Sequence, residues 1–273
     1  MDQPSIDGIN TWFVAKAAHE LGLKVAVSGV GGDELFGGYP SFAEVPRWVR
    51  RIGVPARIPG LGCALRRLTH PLLKLAPSRV HLSPKILSMV EYGGTYAGAY
   101  LLRRGLFLPW ELDRLMDRDS VQEGLRRLDP MARVNDQLAP LPDTAFARLA
   151  TLESALYMRN QLLRDTDWAS MAHSLEIRVP LVDSRLLEQV AAVNQCLSGD
   201  TGKRYLAEAP TRPLPAAVID RNKTGFGIPV GRWVGNQTTA LTHSPYAYAR
   251  GWAQQVMTQA FGLSRRDPAP AKP

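Results

Sequence analysis

The chain has 273 residues, 45% of them hydrophobic and 21% charged, a composition that fits a globular protein and excludes fibrous and low-complexity classes. No apolar stretch approaches the ~20 residues that a membrane-spanning helix needs, and the start, Met1-Asp2-Gln3-Pro4-Ser5, has neither the basic nor the apolar region of a secretory leader. The two cysteines, Cys63 and Cys196, are far apart and lack metal-ligand spacing, so a reducing, cytoplasmic setting is expected and a disulfide scaffold or zinc site is not.

In chain order, Ser5 follows a proline and predicts a cap for a helix whose apolar positions are Ile6, Ile9, Phe13, Val14, Ala17 and Leu21, with Gly22 closing it. Leu23-Lys24-Val25-Ala26-Val27 reads as a short strand of the kind buried in a parallel sheet. A glycine turn and a second helix follow, so ligands are expected at the carboxyl end of that strand. Beyond residue 40 there is almost no strand-like alternation, and a lone strand implies neighbours upstream of this sequence. The fold class expected is therefore α/β turning mostly α, an incomplete domain.

The net charge of +8 is concentrated between Arg47 and Arg104, where Arg50, Arg51, Arg57, Arg66, Arg67, Lys74, Arg79, Lys85 and Arg103 face the single acid Glu91. A solvated basic face, a polyanionic ligand, an acidic partner and nucleic acid would all suit that charge. No aromatic-interleaved RNA motif, zinc finger or helix-turn-helix supports the last, and no nucleic-acid partner is expected. Helical pieces are predicted over 61–75, 81–104 and 109–128, with a boundary at the Pro-rich Leu138–Pro142. A long amphipathic helix over Thr144–Leu163 carries Phe146, Leu149, Leu152, Leu156 and Leu163 on its apolar face. A helix closing over Ala191–Gly202, a last element at Trp252–Phe261 and a disordered tail, 264–273, complete the chain.

Three passages carry chemistry. Ser28-Gly29-Val30-Gly31-Gly32-Asp33-Glu34-Leu35-Phe36-Gly37-Gly38-Tyr39 holds five glycines that let backbone approach a ligand. Amides opening a helix at Gly32–Glu34 suit a phosphate, yet Asp33 and Glu34 would repel a bare one unless a divalent metal lay between. A plain acidic helix start explains the same residues without any ligand. The stretch from Leu163 to Asp183 is dense in charge among apolar residues, so Arg164, Asp165, Asp167, Glu176, Arg178 and Asp183 are expected to form a partly buried network. His173 within it is either a base or a hydrogen-bonded structural residue. Third, Lys223 in Arg221-Asn222-Lys223-Thr224-Gly225-Phe226-Gly227 could steady oxygens on which negative charge develops, or be an ordinary loop lysine.

Together, SGVGGDELFGGYP, LLRDTDWASMAHSLEIRVPLVD and RNKTGFGIP resemble the C-terminal portion of the synthetase domain of glutamine-hydrolysing asparagine synthetases, from about Asp2 to Phe261. The resemblance implies an ATP-pyrophosphatase-type parallel sheet followed by a helical region, in an enzyme that makes an acyl-adenylate from a carboxylate with ATP and Mg2+ and releases the amide with ammonia from a glutaminase domain. It implies that Ser28, Gly29, Gly31, Gly32 and Glu34 meet ATP, that Asp33 holds Mg2+ through pyrophosphate, and that Lys223 stabilises pyrophosphate or adenylate oxygens. On this reading 1–263 is the C-terminal part of a synthetase domain, with a strand and nucleotide-site part at 1–46 and a mostly helical part at 47–263.

The family's cysteine-initiated glutaminase and its SGGxDS pyrophosphate loop have no counterpart here, so both are expected upstream or on another chain, and the piece alone is expected to be inactive. A homodimer is left open. Aspartate is the default acceptor, but Val30 stands where aspartate-using members carry an acid, and Gln3-Pro4-Ser5-Ile6 lacks the arginine of their aspartate contact region. Another carboxylate, such as a surface-glycan sugar acid, and a non-catalytic subunit completed by a partner therefore stay open.

Overall fold

The computed structural model describes residues 3–75, 84–193, 202–212, 214–221 and 245–262. Helix α1 (Ile6–Glu20) starts where Ser5 caps it, its hydroxyl accepting from the Gly8 amide at 3.2 Å. The face it buries is not the predicted one. Gly8 and Ala15 are buried, whereas Val14 is 49% and Leu21 80% exposed. Small residues win because α1 lies close along a later helix, Leu163–Met171: a Cβ on Gly8 would come within 2.6 Å of Trp168.

Strand β1 (Val25–Val27) leads through the glycine loop into α2 (Gly32–Phe36) and α3 (Ser41–Ile52). The expectation of no further strand is corrected by β2 (Glu176–Arg178), which pairs parallel to β1 with Val25 opposite Glu176 and Val27 opposite Arg178. Its three residues carry two exposed charges and no apolar run, so nothing in its pattern marks a strand. β1 itself is not buried: Val25 is 42% and Val27 74% exposed, because among the described residues the sheet has two strands only.

The remainder is helical, an α/β chain in which α dominates. After α3 come α4 (Leu61–Leu75), α5 (Pro84–Leu87), α6 (Met89–Tyr92) and α7 (Tyr96–Arg104), so the helix expected over 81–104 is broken, with Gly93-Gly94 separating its last two pieces. A 3-10 segment, Pro109–Arg114, precedes α8 (Arg118–Leu128), and α9 (Pro130–Asp136) follows. The long helix runs further than predicted, as α10 (Ala145–Leu152), a π-helical segment (Glu153–Leu162) and α11 (Leu163–Met171). Thr144 caps its start by accepting from Ala147 at 3.1 Å. Then follow α12 (Ser184–Val193), α13 (Gly202–Glu208), α14 (Ala216–Ile219) and α15 (Pro245–Phe261). The loop after α12 and the tail at 264–273 lie outside the described residues.

The core forms where α2, α3, α7 and α10 meet, around Leu35, Phe36, Phe42, Val45, Tyr100, Phe146, Leu149 and Leu152. Phe42 and Phe146 pack with ring centroids 4.9 Å apart. Each fully buried leucine contributes about 1.5–3 kcal/mol, so α2 is anchored by Leu35 and Phe36 directly beneath the loop that precedes it. No described helix is long and apolar enough to cross a membrane.

Candidate active site

The glycine loop sits at the carboxyl end of β1. The Ser28 amide donates to the Arg178 carbonyl at 2.8 Å, which extends the ladder by one residue into the loop. The chain then folds on itself. Val30 donates its amide to the Ser28 hydroxyl at 3.3 Å, Gly31 to a Glu34 carboxylate oxygen at 3.1 Å, and Gly32 to the Gly29 carbonyl at 3.1 Å. The amides of Val30, Gly31 and Gly32 are therefore engaged within their own turn, and of the Gly32–Glu34 amides expected to face a phosphate, that of Gly32 is spent in this way.

Gly31 takes a φ of 97°, and a Cβ there would stand 2.9 Å from the Leu181 carbonyl. Conformation and space both require glycine. Gly32 is buried beneath Leu181 and Leu206, whereas Gly29 is exposed and Ser28 half-buried on the open side of the loop.

The neighbouring acids separate. Glu34 turns inward to 1% exposure, accepting from the Tyr39 hydroxyl at 2.7 Å as well as from Gly31. Burial pushes its carboxyl above the usual carboxylate range, and the Tyr39 hydrogen bond opposes that rise. Its place is underneath the loop, which it holds in shape, apart from the half-buried Asp33. Asp33 stays half-buried and makes an ion pair with Lys203 at the start of α13. Two glycines permit this pairing: a Cβ on Gly38 would collide with the Asp33 carboxylate and the Lys203 chain, and one on Gly202 with the Phe36 carbonyl.

Lys203 is the site residue that sequence reasoning missed. A Gly-Lys step at a helix start was the available signal, but no spacing ties it to a loop 170 positions earlier. Lys223, with the whole loop around it, lies outside the described residues.

From Tyr39 a polar chain runs into the helical half. The Arg104 guanidinium lies 4.6 Å from the Tyr39 ring and 3.6 Å from the Tyr157 ring, and pairs with the fully buried Glu153 at 2.8 Å. Ser41 and Tyr100 also donate to Glu153. Tyr157 and Gln161 each reach Asp7 at 2.8 Å, and Ser5 donates to Asp165. Tyr100, Arg103, Arg104, Leu156, Tyr157 and Gln161 line a cavity of about 330 Å3 beside this chain.

The charge-dense stretch behaves differently from the network predicted for it. Only Asp165 is buried, held by Ser5 and by Trp168 at 3.0 Å, with burial raising its carboxyl. Glu176 and Arg178 pair with each other in solvent, and Asp183 accepts from the Arg185 and Leu186 amides at the start of α12. Solvation explains the difference, since charges on a two-stranded sheet can reach water. His173 packs edge-on to Trp12 at 4.5 Å, away from the loop's hydrogen bonds.

Asp33 supplies a hard oxygen donor of the kind Mg2+ takes, and Lys203 an ammonium that suits phosphate oxygens, so the donor set fits a metal–polyphosphate. No cluster of three or more metal-ligating side chains exists among the described residues. Fold and loop define an α/β protein with its candidate site on a glycine loop at the carboxyl end of a parallel strand.

The asparagine synthase family model matches residues 1–251, and the chain belongs to that family. It is 27% identical over 275 residues to asparagine synthetase [glutamine-hydrolyzing] 1 of Bacillus subtilis (strain 168), covering 95% of this chain and 38% of that protein. It is 28% identical over 251 residues to putative asparagine synthetases [glutamine-hydrolyzing] of Mycobacterium bovis and Mycobacterium tuberculosis, covering 86% of this chain and 34% of theirs. The chain thus spans little more than a third of the relatives it matches. No solved structure matches it.

Proposed function

We propose that this chain is the ATP-dependent ligase portion of an amidotransferase, amidating a carboxylate through an acyl-adenylate, with aspartate as the default acceptor and glutamine-derived ammonia as the nitrogen source. The observation that carries the reading is the coincidence of the family match over residues 1–251 with a glycine loop at the carboxyl end of a parallel strand, beside which Asp33 meets Lys203 of α13. Bound ATP and Mg2+ would supply the adenylyl group that activates the carboxylate and the charge neutralisation that lets pyrophosphate leave.

The chain's own residues would prepare that exchange. Asp33 would take the metal, and Lys203, released from its pair, would turn to the phosphate oxygens. Ser28 and Gly29 would border the nucleotide on the open side of the loop. Gly31 and Gly32 would keep α2 close to Leu181, and Glu34 would hold the loop's curvature from below. Lys223 would add a second ammonium near the leaving pyrophosphate. The ATP-pyrophosphatase architecture, the cytoplasmic setting, and the glutaminase and SGGxDS parts on an upstream segment or second chain belong to the same proposal.

A second acceptor reading is favoured by Val30 and by the use of Ser5 as a helix cap bonded to Asp165. Neither position offers a group for the amino-acid end of aspartate, so a different carboxylate, such as a sugar acid, would fit the loop equally.

The test is carboxylate-dependent pyrophosphate release from ATP and Mg2+, with ammonia supplied, by the chain joined to its SGGxDS-bearing part. Release with one carboxylate, lost in Asp33→Asn and reduced at least tenfold in Lys203→Ala, ~1.4 kcal/mol or more of transition-state stabilisation, is expected. A correctly folded assembly that releases no pyrophosphate with aspartate or any sugar acid would leave the partner-completed, non-catalytic reading. Robust amide formation by residues 1–273 alone would overturn the expectation that this chain acts only together with an SGGxDS-bearing part.

A further inference from the structure

Helix α4 turns a charged side chain inward and leucines outward over its described side chains, residues 61–71. Its protein-facing side carries Gly62, where a Cβ would stand 2.6 Å from the Glu91 amide nitrogen, and Arg66, which pairs with Glu91 at 2.6 Å and lies 4.6 Å from the Trp110 ring. His70, one turn further, meets Trp110 edge-on at 5.4 Å. The solvent side carries Ala64, Leu65, Leu68 and Pro71, all exposed, with Leu68 at 71%. The turn leading into the helix continues the pattern, with Val54 74% and Ile58 56% exposed. An ordinary surface helix buries its apolar stripe and shows its charges; among the described side chains of α4, Arg66 is turned inward while Leu65 and Leu68 stand exposed beside Arg67.

The surroundings are equally unusual. Arg50, Arg51, Arg57 and Arg67 are exposed along the same segment, and the sequence holds no acid between Glu44 and Glu91. Both bounding acids are engaged, Glu44 with Arg103 at 3.0 Å and Glu91 with Arg66. Exposed leucines and arginines thus lie along one segment that contains no acid of its own.

The chemistry of the occupant follows from needing both halves. A nucleic acid would use the arginines and leave the leucines in water. A second copy of the chain across a two-fold axis would cover the leucines, but would set the arginines of this segment against their own copies, with no acid of the segment to meet them. An anionic lipid surface satisfies both, with arginines at the headgroup phosphates and leucines in the layer beneath.

We propose that α4 and the turn before it form a reversible contact with an anionic membrane surface, Leu65 and Leu68 entering the interface and Arg57 and Arg67 on the headgroups. The contact is independent of the catalytic reading, since it shares no residue with the glycine loop.

The test is co-sedimentation of the whole chain with vesicles of phosphatidylcholine, alone or mixed with phosphatidylglycerol. Binding to the mixed vesicles only, weakening as salt rises, is the expected result. Arg57→Gln and Arg67→Gln should each lower the partition coefficient about fivefold, and Leu65→Ser with Leu68→Ser should abolish sedimentation. Because Leu68 is 71% exposed, Leu68→Ser alone should keep the unfolding midpoint while weakening sedimentation, which separates lost binding from lost fold. No binding, equal binding to neutral vesicles, or binding unchanged by the serine pair overturns the proposal. So does a dimer in sedimentation velocity that the serine pair dissolves, or retention on RNA or polyglutamate with none on the vesicles.

Discussion

Glu34 shows how two neighbouring carboxylates can part, one turned under the loop and the other, Asp33, paired with Lys203. It is 1% exposed and takes hydrogen bonds from Gly31 and Tyr39, so in the folded chain it is a shaped acceptor under the loop. Burial raises its pKa above the ordinary 4.5, which means the folded state keeps this proton to a higher pH than the unfolded chain does. In the window above 4.5 the unfolded chain binds fewer protons at this site, so its contribution to stability declines as pH rises through the folded pKa. Glu34→Gln has no proton to lose. It forfeits one of the two accepted bonds at every pH, a cost of about 1–3 kcal/mol, but its stability relative to the native chain should improve as pH is raised from acid to neutral. Urea unfolding at a series of pH values measures this, and parallel profiles for the two proteins would show that the burial of Glu34 has no linked proton.

At the scale of elements, the π-helical segment between α10 and α11 matters most. Its residues Glu153, Tyr157 and Gln161 are three of the links between the loop's Tyr39 and the cap of α1. π segments recur at functional sites because the widened turn redirects side chains. The residue that most depends on this redirection is Arg104, on α7, clasped by two tyrosine rings and Glu153.

Removing Arg104 leaves Glu153, fully buried, without its counter-charge, so Arg104→Ala should cost about 3–5 kcal/mol. Arg104→Lys keeps the charge but not the planar fork or the stacking, and should recover only part of that loss. Denaturant midpoints of the two variants decide it. Equal midpoints for native, Lys and Ala proteins would mean that Ser41 and Tyr100 suffice for Glu153.

None of this chain was visible in periodicity, because Glu153 and Tyr157 sit in a pattern that reads equally well as an unbroken amphipathic helix. What the sequence did make legible was local. Ser5 marked the start of α1, and the glycines of 29–38 marked a turn between strand and helix, because cap and turn chemistry are set by the residue itself. The buried face of α1, strand β2 and the Asp33–Lys203 pair depend on residues far along the chain. Small residues, a charged three-residue strand and an isolated lysine leave no local signature.

The whole molecule is closed by the least conspicuous of those contacts. Pairing of β1 with β2 joins residues about 150 positions apart and places the Leu181 carbonyl against Gly31, so the shape of the loop rests on a ladder of three residues. Its first bond runs from the Glu176 amide to the Lys24 carbonyl at 2.9 Å and its last from Ser28 to Arg178. Glu176→Pro removes the first donor while leaving the loop sequence intact. The Lys24 carbonyl then turns to water, and β2 is freed to drift from the loop with Leu181 behind it. Glu176→Ala keeps the amide and loses only an exposed pair with Arg178, an effect within about 0.5 kcal/mol. The proline variant should therefore unfold at clearly lower denaturant and, if the proposed function holds, lose carboxylate-dependent pyrophosphate release, whereas the alanine variant matches the native chain in both. If proline lowers neither, the loop holds its geometry from α2 and α13 alone, and β2 contributes nothing to the site.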